Sequence, residues 1–167
     1  RPEEIDVVAY PYAPIGLWSP ARWYYARRHW YEPGRALRAI FDGNRKLHQK
    51  TAGVLALLDE LGIGSRRARF MPVEHHLAPA SSAYHLSGLD KKTAIVSIDG
   101  KGEYATMYFG YGENGKIHRI KEFYDPDSLG WFYGALTEYL GFEIQDGEYK
   151  VMGMAPYGDS RRYDFSR

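Results

Sequence analysis

The chain has 167 residues, of which 44% are hydrophobic and 26% charged, and its 22 basic and 21 acidic side chains leave a net charge of +1. This composition indicates about one globular domain and excludes disordered, collagen-like, coiled-coil and membrane-spanning classes. Because cysteine is absent, disulfides, a thiolate nucleophile and Cys-ligated zinc or iron–sulfur centres are excluded as well.

The first 70 residues are basic, with 12 basic and 7 acidic side chains. Ile5–Tyr10 is predicted to be a short buried strand. Ser19 is a predicted N-cap, with Pro20 at the first helical position of a helix rich in arginine and aromatic residues, and Pro33-Gly34 is expected to stop that helix. Basic residues between aromatic ones can bind nucleic acid, but the near-neutral chain makes packing against another domain the favoured interpretation.

Hydrophobic periodicity predicts the remaining elements. In chain order they are a helix over Lys46–Leu61, a strand over Arg69–Val73, a helix over Ala80–Leu86, strands over Thr93–Ile98, Glu103–Tyr111 and Lys116–Phe123, and a helix over Leu129–Leu140. Short turns join the three consecutive strands, so we expect a three-stranded antiparallel meander. The rest, Phe142–Arg167, is predicted to be loop-like.

Asp99 is the first candidate functional residue, because it follows a predicted buried strand and begins the turn Asp99-Gly100-Lys101-Gly102. A carboxylate there can hold a cation, while the amides of Gly100 and Gly102 can approach a phosphate closely. The alternative is a plain hairpin turn, for which Asp-Gly is a frequent choice.

His75 and His76 form the second candidate cluster, since an imidazole and a carboxylate together are a normal ligand set for a divalent metal. Adjacent rings point in different directions, so at most one of them is expected to share a site with Asp99. The alternative is one solvated and one hydrogen-bonded histidine. Lys150, ahead of a loop with glycine and proline, is either a phosphate-binding lysine or an ordinary surface lysine.

Three stretches together resemble one family. They are Glu74-His75-His76-Leu77-Ala78-Pro79-Ala80, Ile98-Asp99-Gly100-Lys101-Gly102-Glu103, and Ser128-Leu129-Gly130 continuing to Glu148-Tyr149-Lys150-Val151-Met152-Gly153-Met154-Ala155-Pro156-Tyr157-Gly158. Their order and spacing resemble the O-carbamoyltransferases of the nodulation-protein-U and cephalosporin/tobramycin carbamoyltransferase type. The resemblance covers about residues 70–160, and residues 1–69 match it loosely.

The resemblance implies an α/β fold, part of an actin/Hsp70-type (ribonuclease H-like) ATPase domain. It also implies an adenylate-forming domain in the same polypeptide, which makes carbamoyladenylate from carbamoyl phosphate and ATP. The ATPase-like domain then transfers the carbamoyl group to a hydroxyl of a small-molecule acceptor. Iron or a similar divalent metal is implied between two histidines of an H-x-x-x-H motif and two aspartates, and a cytoplasmic location is expected.

The family's residues map onto this chain only in part. His75 falls on the first histidine of the motif and Asp99 on a metal-site aspartate, and Gly100, Gly102 and Lys150 are expected near phosphate or the carbamoyl group. Pro79 occupies the position of the second histidine and offers no lone pair to a metal. A proline there fits a helix only within the first turn.

Three functions follow from these observations. The leading hypothesis is a fragment of an O-carbamoyltransferase, since the chain begins with Arg1 rather than methionine. The fragment is expected to be inactive alone, because the second half of the ATPase fold and the adenylate-forming domain would lie outside it. The alternatives are a degenerate metal-free relative that binds a nucleotide or a partner, and a sugar-kinase-like phosphotransferase. His76 or His85 could substitute for the missing ligand, although neither has the i+4 relation to His75.

Overall fold

The computed structural model describes residues 2–63, 68–89 and 91–162. Its helices are α1 (Pro20–Arg28), α2 (Pro33–Asp42), α3 (Arg45–Glu60), α4 (Leu77–Leu86), α5 (Leu129–Tyr139) and α6 (Glu148–Met154), with short 3₁₀ turns at Pro2–Glu4, Ala155–Tyr157 and Ser160–Arg162. Its strands are β1 (Val7–Tyr10), β2 (Arg69–Pro72), β3 (Thr93–Ile98), β4 (Ala105–Glu113) and β5 (Lys116–Tyr124).

The antiparallel meander predicted from the sequence is present, with strand order β3-β4-β5. Asn114 and Gly115 form the two-residue turn between β4 and β5, and both have positive φ, 51° and 72°. Such a turn matches the right-handed twist of the flanking strands, which explains why this hairpin is readable from sequence. The fold is therefore mixed α/β, with a three-stranded antiparallel sheet and flanking helices.

Strands β1 and β2 form a separate parallel pair, in which Val7 is opposite Arg69 and Tyr10 is opposite Pro72. The 58 residues between the two strands contain α1, α2 and α3, because a parallel connection needs a long crossover. The pair ends where Val73 donates its amide to the Tyr10 carbonyl at 2.8 Å.

Two strands predicted to be buried are partly exposed, β1 at Val7 and β3 at Val96 and Ile98, because only one face of each strand is packed. Two helical segments differ from the prediction as well. Pro33 does not end a helix but begins α2, since proline lacks only an N–H that the first helical turn leaves unpaired. The predicted loop after Phe142 contains α6, which lacks a side-chain cap and lies against α5 where the Tyr133 hydroxyl donates to the Glu148 carbonyl at 3.4 Å. Residues 163–167 of that predicted loop lie outside the described ranges.

Two small cores hold the elements together. The first lies between α4 and the meander and contains Ala80, Tyr84, Ile95 and Tyr108, with Ile117 packed against it. The second lies between α1, α2 and the turn before β4 and contains Ala21, Ala39 and Tyr104. Among the helices described, none is both long and apolar enough to cross a bilayer.

Arg22 connects the second core to its surroundings, although it is charged and only 4% exposed. Its guanidinium donates to the Ile40 carbonyl at 2.7 Å and to the Ile15 carbonyl at 2.8 Å. Ile40 is in the last turn of α2, where the helix dipole favours a positive charge. Arg22 therefore joins α1 to α2 and to the loop that follows β1.

Candidate metal site

The candidate site lies where three strands end. Pro11 and Tyr12 follow β1, His75 comes three residues after β2, and Asp99 follows β3 directly. The two sheets therefore approach each other through the residues just beyond their strands. This placement brings together side chains that are far apart in sequence.

His75 and Asp99 are in direct contact, with His75 Nε2 2.9 Å from Asp99 Oδ2. The other ring nitrogen of His75, Nδ1, lies 3.1 Å from the Pro11 carbonyl oxygen. The ring of Tyr12 stacks on the imidazole, with centroids 4.5 Å apart and planes inclined by 25°. The orientation of His75 is therefore fixed at both nitrogens and on one face.

The partners of both His75 nitrogens are oxygen acceptors. A neutral imidazole carries one N–H and can donate to only one of them. If Nδ1–H donates to Pro11, the Nε2 lone pair faces the carboxylate, and a cation between Nε2 and Oδ2 would satisfy both atoms. Metal-bound histidines commonly donate their other ring N–H to a carbonyl in this way. The alternative is the other tautomer, in which Nε2–H donates to Asp99 Oδ2.

Asp99 is prepared to carry a negative charge. Partial burial raises the pKa of its carboxyl, but hydrogen bonds from His75 and from the Gly100 amide lower the pKa more strongly, so that it lies below its ordinary value. The Gly100 amide donates to Asp99 Oδ1 at 2.6 Å. The side chain of Asp99 remains 53% exposed, so its charge is accessible to a ligand.

His76 has a structural environment different from that of His75. It is 2% exposed, with Nδ1 3.0 Å from the Ser97 hydroxyl and Nε2 3.0 Å from the Ala105 carbonyl. Burial lowers the pKa of the ring, although the bond to Ala105 opposes this effect. A neutral ring that accepts from Ser97 and donates to Ala105 ties the start of α4 to β3 and β4.

Glu103 supports the site, and the sequence analysis missed its role. Its carboxylate accepts the backbone amides of Ala13 at 2.7 Å and of His75 at 3.1 Å. It thereby holds the loop after β1 and the loop after β2 in position. Partners 90 and 28 residues away in sequence leave no local signal that could have revealed this role.

The start of α5 closes the site from the other side. Ser128 is its N-cap and accepts the amide of Trp131 at 3.0 Å. The Ser128 hydroxyl donates to the Gly100 carbonyl at 2.7 Å. A capping residue therefore fixes the backbone of the turn that begins at Asp99.

The two glycines of this turn have different surroundings. The Gly102 amide donates to the Ala105 carbonyl at 2.8 Å, and the Gly100 amide is already bonded to Asp99. A Cβ on Gly102 would lie 2.8 Å from the Cβ of His75, whereas one on Gly100 would be 3.7 Å from the Trp131 ring. Gly102 thus permits the close approach of His75, and phosphate binding by either glycine stays a prediction.

Pro79 and Lys150 lie apart from the contact between His75 and Asp99. Pro79 is the third residue of α4, within the first turn, where proline is tolerated. The Nζ of Lys150 lies 5.8 Å from the ring centroid of Phe142 and 5.6 Å from that of Tyr149. Within the described ranges, neither residue makes a side-chain hydrogen bond, ion pair or ring contact with His75 or Asp99.

A metal held by this chain would have two side-chain donors. No group of three or more histidine, aspartate or glutamate side chains is arranged to hold an ion within residues 2–63, 68–89 and 91–162. The nitrogen of His75 and the carboxylate of Asp99 nevertheless fit the ligand types of iron, manganese and similar divalent ions. The pair fits part of a metal site, and further donors would have to come from other parts of the polypeptide.

A family model described as "Carbamoyltransferase N-terminus" matches residues 44–164. This match covers the second half of the loop-and-helix crossover, the meander and the helices that follow. It includes both His75 and Asp99.

Two of the similar curated proteins are nodulation proteins. The chain is 40% identical over 103 residues to nodulation protein NolNO of Sinorhizobium fredii, covering 62% of this chain and 15% of that protein. It is 40% identical over 91 residues to nodulation protein NolO of Bradyrhizobium diazoefficiens, covering 54% and 16%. An uncharacterized Synechocystis protein, sll1178, is 37% identical over 123 residues, covering 71% and 19%. The chain thus spans less than a fifth of the length of each.

Proposed function

The chain belongs to the carbamoyltransferase N-terminal family, and we propose that it contributes metal-binding residues to an O-carbamoyltransferase. The proposed enzyme transfers a carbamoyl group from carbamoyladenylate to a hydroxyl of a small-molecule acceptor. The observation that supports this proposal most directly is the 2.9 Å contact between His75 Nε2 and Asp99 Oδ2. An actin/Hsp70-type ATPase fold for the complete domain is part of the same proposal.

His75 and Asp99 are the residues of this chain that would hold the metal. When bound, a divalent ion would neutralise phosphate charge and polarise the carbamoyl carbonyl. Pro11 and Tyr12 orient the imidazole of His75, and the Glu103 carboxylate accepts a hydrogen bond from the backbone amide of His75 itself. These contacts hold the His75 ring in place before any ligand arrives, which reduces the entropy lost on binding.

The proposed transfer is balanced as follows. An adenylate-forming domain elsewhere in the full-length polypeptide hydrolyses carbamoyl phosphate to carbamate and inorganic phosphate, and the carbamate oxygen then attacks the α-phosphorus of ATP, giving carbamoyladenylate and pyrophosphate. The acceptor oxygen forms a bond to the carbamoyl carbon, the bond from that carbon to the AMP phosphate oxygen breaks, and AMP leaves with the electron pair. The hydroxyl proton passes to a base.

Metal content of the full-length protein tests the ligand assignment. We expect the wild type to co-purify with a divalent ion, and His75→Ala and Asp99→Ala to lower metal occupancy at subsaturating ion by at least about tenfold. His118→Ala removes an exposed imidazole on β5 and should leave occupancy unchanged. Unchanged occupancy in Asp99→Ala would refute the ligand role.

A second candidate is a degenerate relative that binds nucleotide without a metal, and Pro79 favours it. Under this candidate the wild type holds no ion and shows no transfer from carbamoyl phosphate and ATP to a mixture of hydroxyl acceptors. Pro79→His would then restore metal binding, because it returns a second imidazole to the motif.

The nucleotide product distinguishes the sugar-kinase-like alternative, since carbamoyl transfer releases AMP and phosphotransfer releases ADP.

A further inference from the structure

A second concave region lies beside the candidate metal site. It is a cleft of about 660 Å³ between α2, the start of α3 and the turn before β4. Six cationic side chains line it: Arg35, Arg38, Arg45, Lys46, Lys50 and Lys101. Asp42 and Glu103 are the carboxylates in its lining. The cleft is therefore positively charged, although the chain as a whole is close to neutral.

Local carboxylates compensate only half of these cations. Arg35 pairs with Glu32 at 3.1 Å, Arg45 with Asp42 at 3.4 Å, and Lys101 with Asp125 at 2.5 Å. Arg38, Lys46 and Lys50 have no hydrogen-bonding or ion-pair partner within the described part of the chain. Uncompensated like charges around a concave surface repel one another and raise the local concentration of anions.

Aromatic rings form the opposite wall of the cleft. Tyr12, Tyr25, Tyr104 and Trp131 belong to its lining, and the Nζ of Lys101 lies 5.2 Å from the Tyr25 ring centroid and 5.0 Å from that of Tyr104. A volume in this range fits a small molecule, and a mixed wall of rings and cations suits one with both a charged and a flat or apolar part.

The cleft is continuous with the candidate metal site. Tyr12 lines the cleft and stacks on His75, and Gly102, in the same lining, is the glycine that His75 approaches. Glu103 lines the cleft too and accepts the amide of His75. A ligand whose charged group occupies the cleft would therefore have its remainder within reach of His75 and Asp99.

We infer that this cleft binds the phosphate group of a small-molecule ligand. The spread of the cations supports phosphate over a single carboxylate, because tetrahedral oxygens can accept from several donors at once. Two sources share this chemistry: a nucleotide or carbamoyl phosphate, and an acceptor that itself carries a phosphate. Arg35 and Arg38 precede the segment that matches the family model, so family membership does not account for them.

The inference that the cleft binds phosphate does not depend on the proposed transfer reaction. Only the identification of the phosphate-bearing ligand as the acceptor rests on the proposed function. The test is calorimetric titration of the full-length protein with inorganic pyrophosphate, ATP, glucose 6-phosphate and glucose. The test variant is the double substitution Lys46→Ala with Lys50→Ala, and Arg38→Ala is a second variant. The matched control is Arg27→Ala with Lys116→Ala, which removes two exposed cations outside the cleft.

We expect the cleft variants to weaken pyrophosphate binding by about tenfold or more, and the control to leave it unchanged. A loss for ATP that leaves glucose 6-phosphate binding unaffected identifies a nucleotide as the source, and a loss for glucose 6-phosphate with no binding of glucose identifies a phosphorylated acceptor. Absent pyrophosphate binding, or an equal loss in the control, would overturn the inference. His75→Ala should retain pyrophosphate binding, so a failed metal site and a failed cleft give different results.

Discussion

Gly102 shows how a single missing side chain shapes the candidate site. Any Cβ at this position would meet the Cβ of His75 at 2.8 Å, and Pro11 and Asp99 already hold the imidazole at both nitrogens. We expect Gly102→Ala to displace His75, to lower the free energy of unfolding by about 1–3 kcal/mol and to reduce metal occupancy. Urea unfolding and metal analysis of the full-length protein would measure both effects.

Gly100→Ala is the matched control for this substitution. Its Cβ would be 3.7 Å from the Trp131 ring, an ordinary contact, so we expect a smaller loss of stability and a retained ion. Equal metal occupancy in Gly102→Ala and Gly100→Ala would contradict the steric role given to Gly102.

Glu122 provides a pH prediction away from the site. Burial raises the pKa of this carboxyl above its ordinary value, and the Arg119 guanidinium and the Tyr124 hydroxyl lower it only in part. The folded state therefore holds the proton more tightly than the unfolded chain, and stability declines as pH rises through the ordinary glutamate range toward the raised pKa. Glu122→Gln, which cannot titrate, should gain stability relative to wild type over that interval.

Chemical denaturation of both proteins from mildly acidic to neutral pH would show the difference. Glu113→Gln, on the same sheet and 40% exposed in its side chain, serves as the control and should follow the wild-type profile. Parallel profiles for Glu122→Gln and wild type would count against the burial effect.

At the residue level, sequence reasoning reached only the side chains whose own neighbours carry a signal. Asp99 was predicted because it ends a strand and begins a glycine turn, and His75 because it precedes a helix in a recognisable motif. Pro11 and Tyr12 contribute a carbonyl and a ring face to His75 from 64 and 63 residues away. A backbone carbonyl has no sequence signature, so this half of the geometry needed the fold.

At the element level, two glycines should respond oppositely to alanine. Gly53 lies inside α3 with open space around its Cβ position, so Gly53→Ala should stabilise the helix by about 0.5–1 kcal/mol. Gly115 has φ +72° in the hairpin turn, and alanine there should cost about 1–2 kcal/mol. Thermal unfolding of the two variants checks both signs, and stabilisation by Gly115→Ala would contradict the assigned turn.

The elements that were predicted have strong local determinants. The meander has alternating strands and an Asn-Gly turn, and α5 has its Ser128 cap and Gly141 at φ +86° just beyond its end. Helix α2 was missed because Pro33-Gly34 has two meanings, the end of one helix or the start of the next. Helix α6 has only 7 residues and no side-chain cap, so its stability depends on packing against α5 rather than on its own sequence.

At the scale of the molecule, apolar surface remains uncovered on the aromatic segment around α1 and on α5. Trp30 is 78% exposed and Phe132 61% exposed, and the edge strand β3 exposes Val96 and Ile98. Patches of this kind mark surfaces that pack against other structure. We expect the isolated 167-residue segment to bind a hydrophobic dye strongly and the full-length protein to bind it weakly.

The fluorescence of such a dye, measured with the segment and with the full-length protein at equal concentration, gives this comparison. Phe132→Ser, which removes one exposed ring, should lower dye binding by the isolated segment, whereas Lys116→Ala should not. Weak dye binding by the segment would show that these faces are covered by a rearrangement of its own residues.

The candidate metal ligands follow strands of two different sheets, His75 after the parallel pair and Asp99 after the meander. Under the proposed function, the bound ion would link the two sheets. The affinity of the protein for the ion would then include the free energy of packing one sheet against the other. A variant in which the two sheets separate would therefore lose both the packing between them and the binding of the ion. Removing the ion with a chelator would therefore first loosen the contact between the two sheets, and protease cleavage would begin in the loops after β1 and β2.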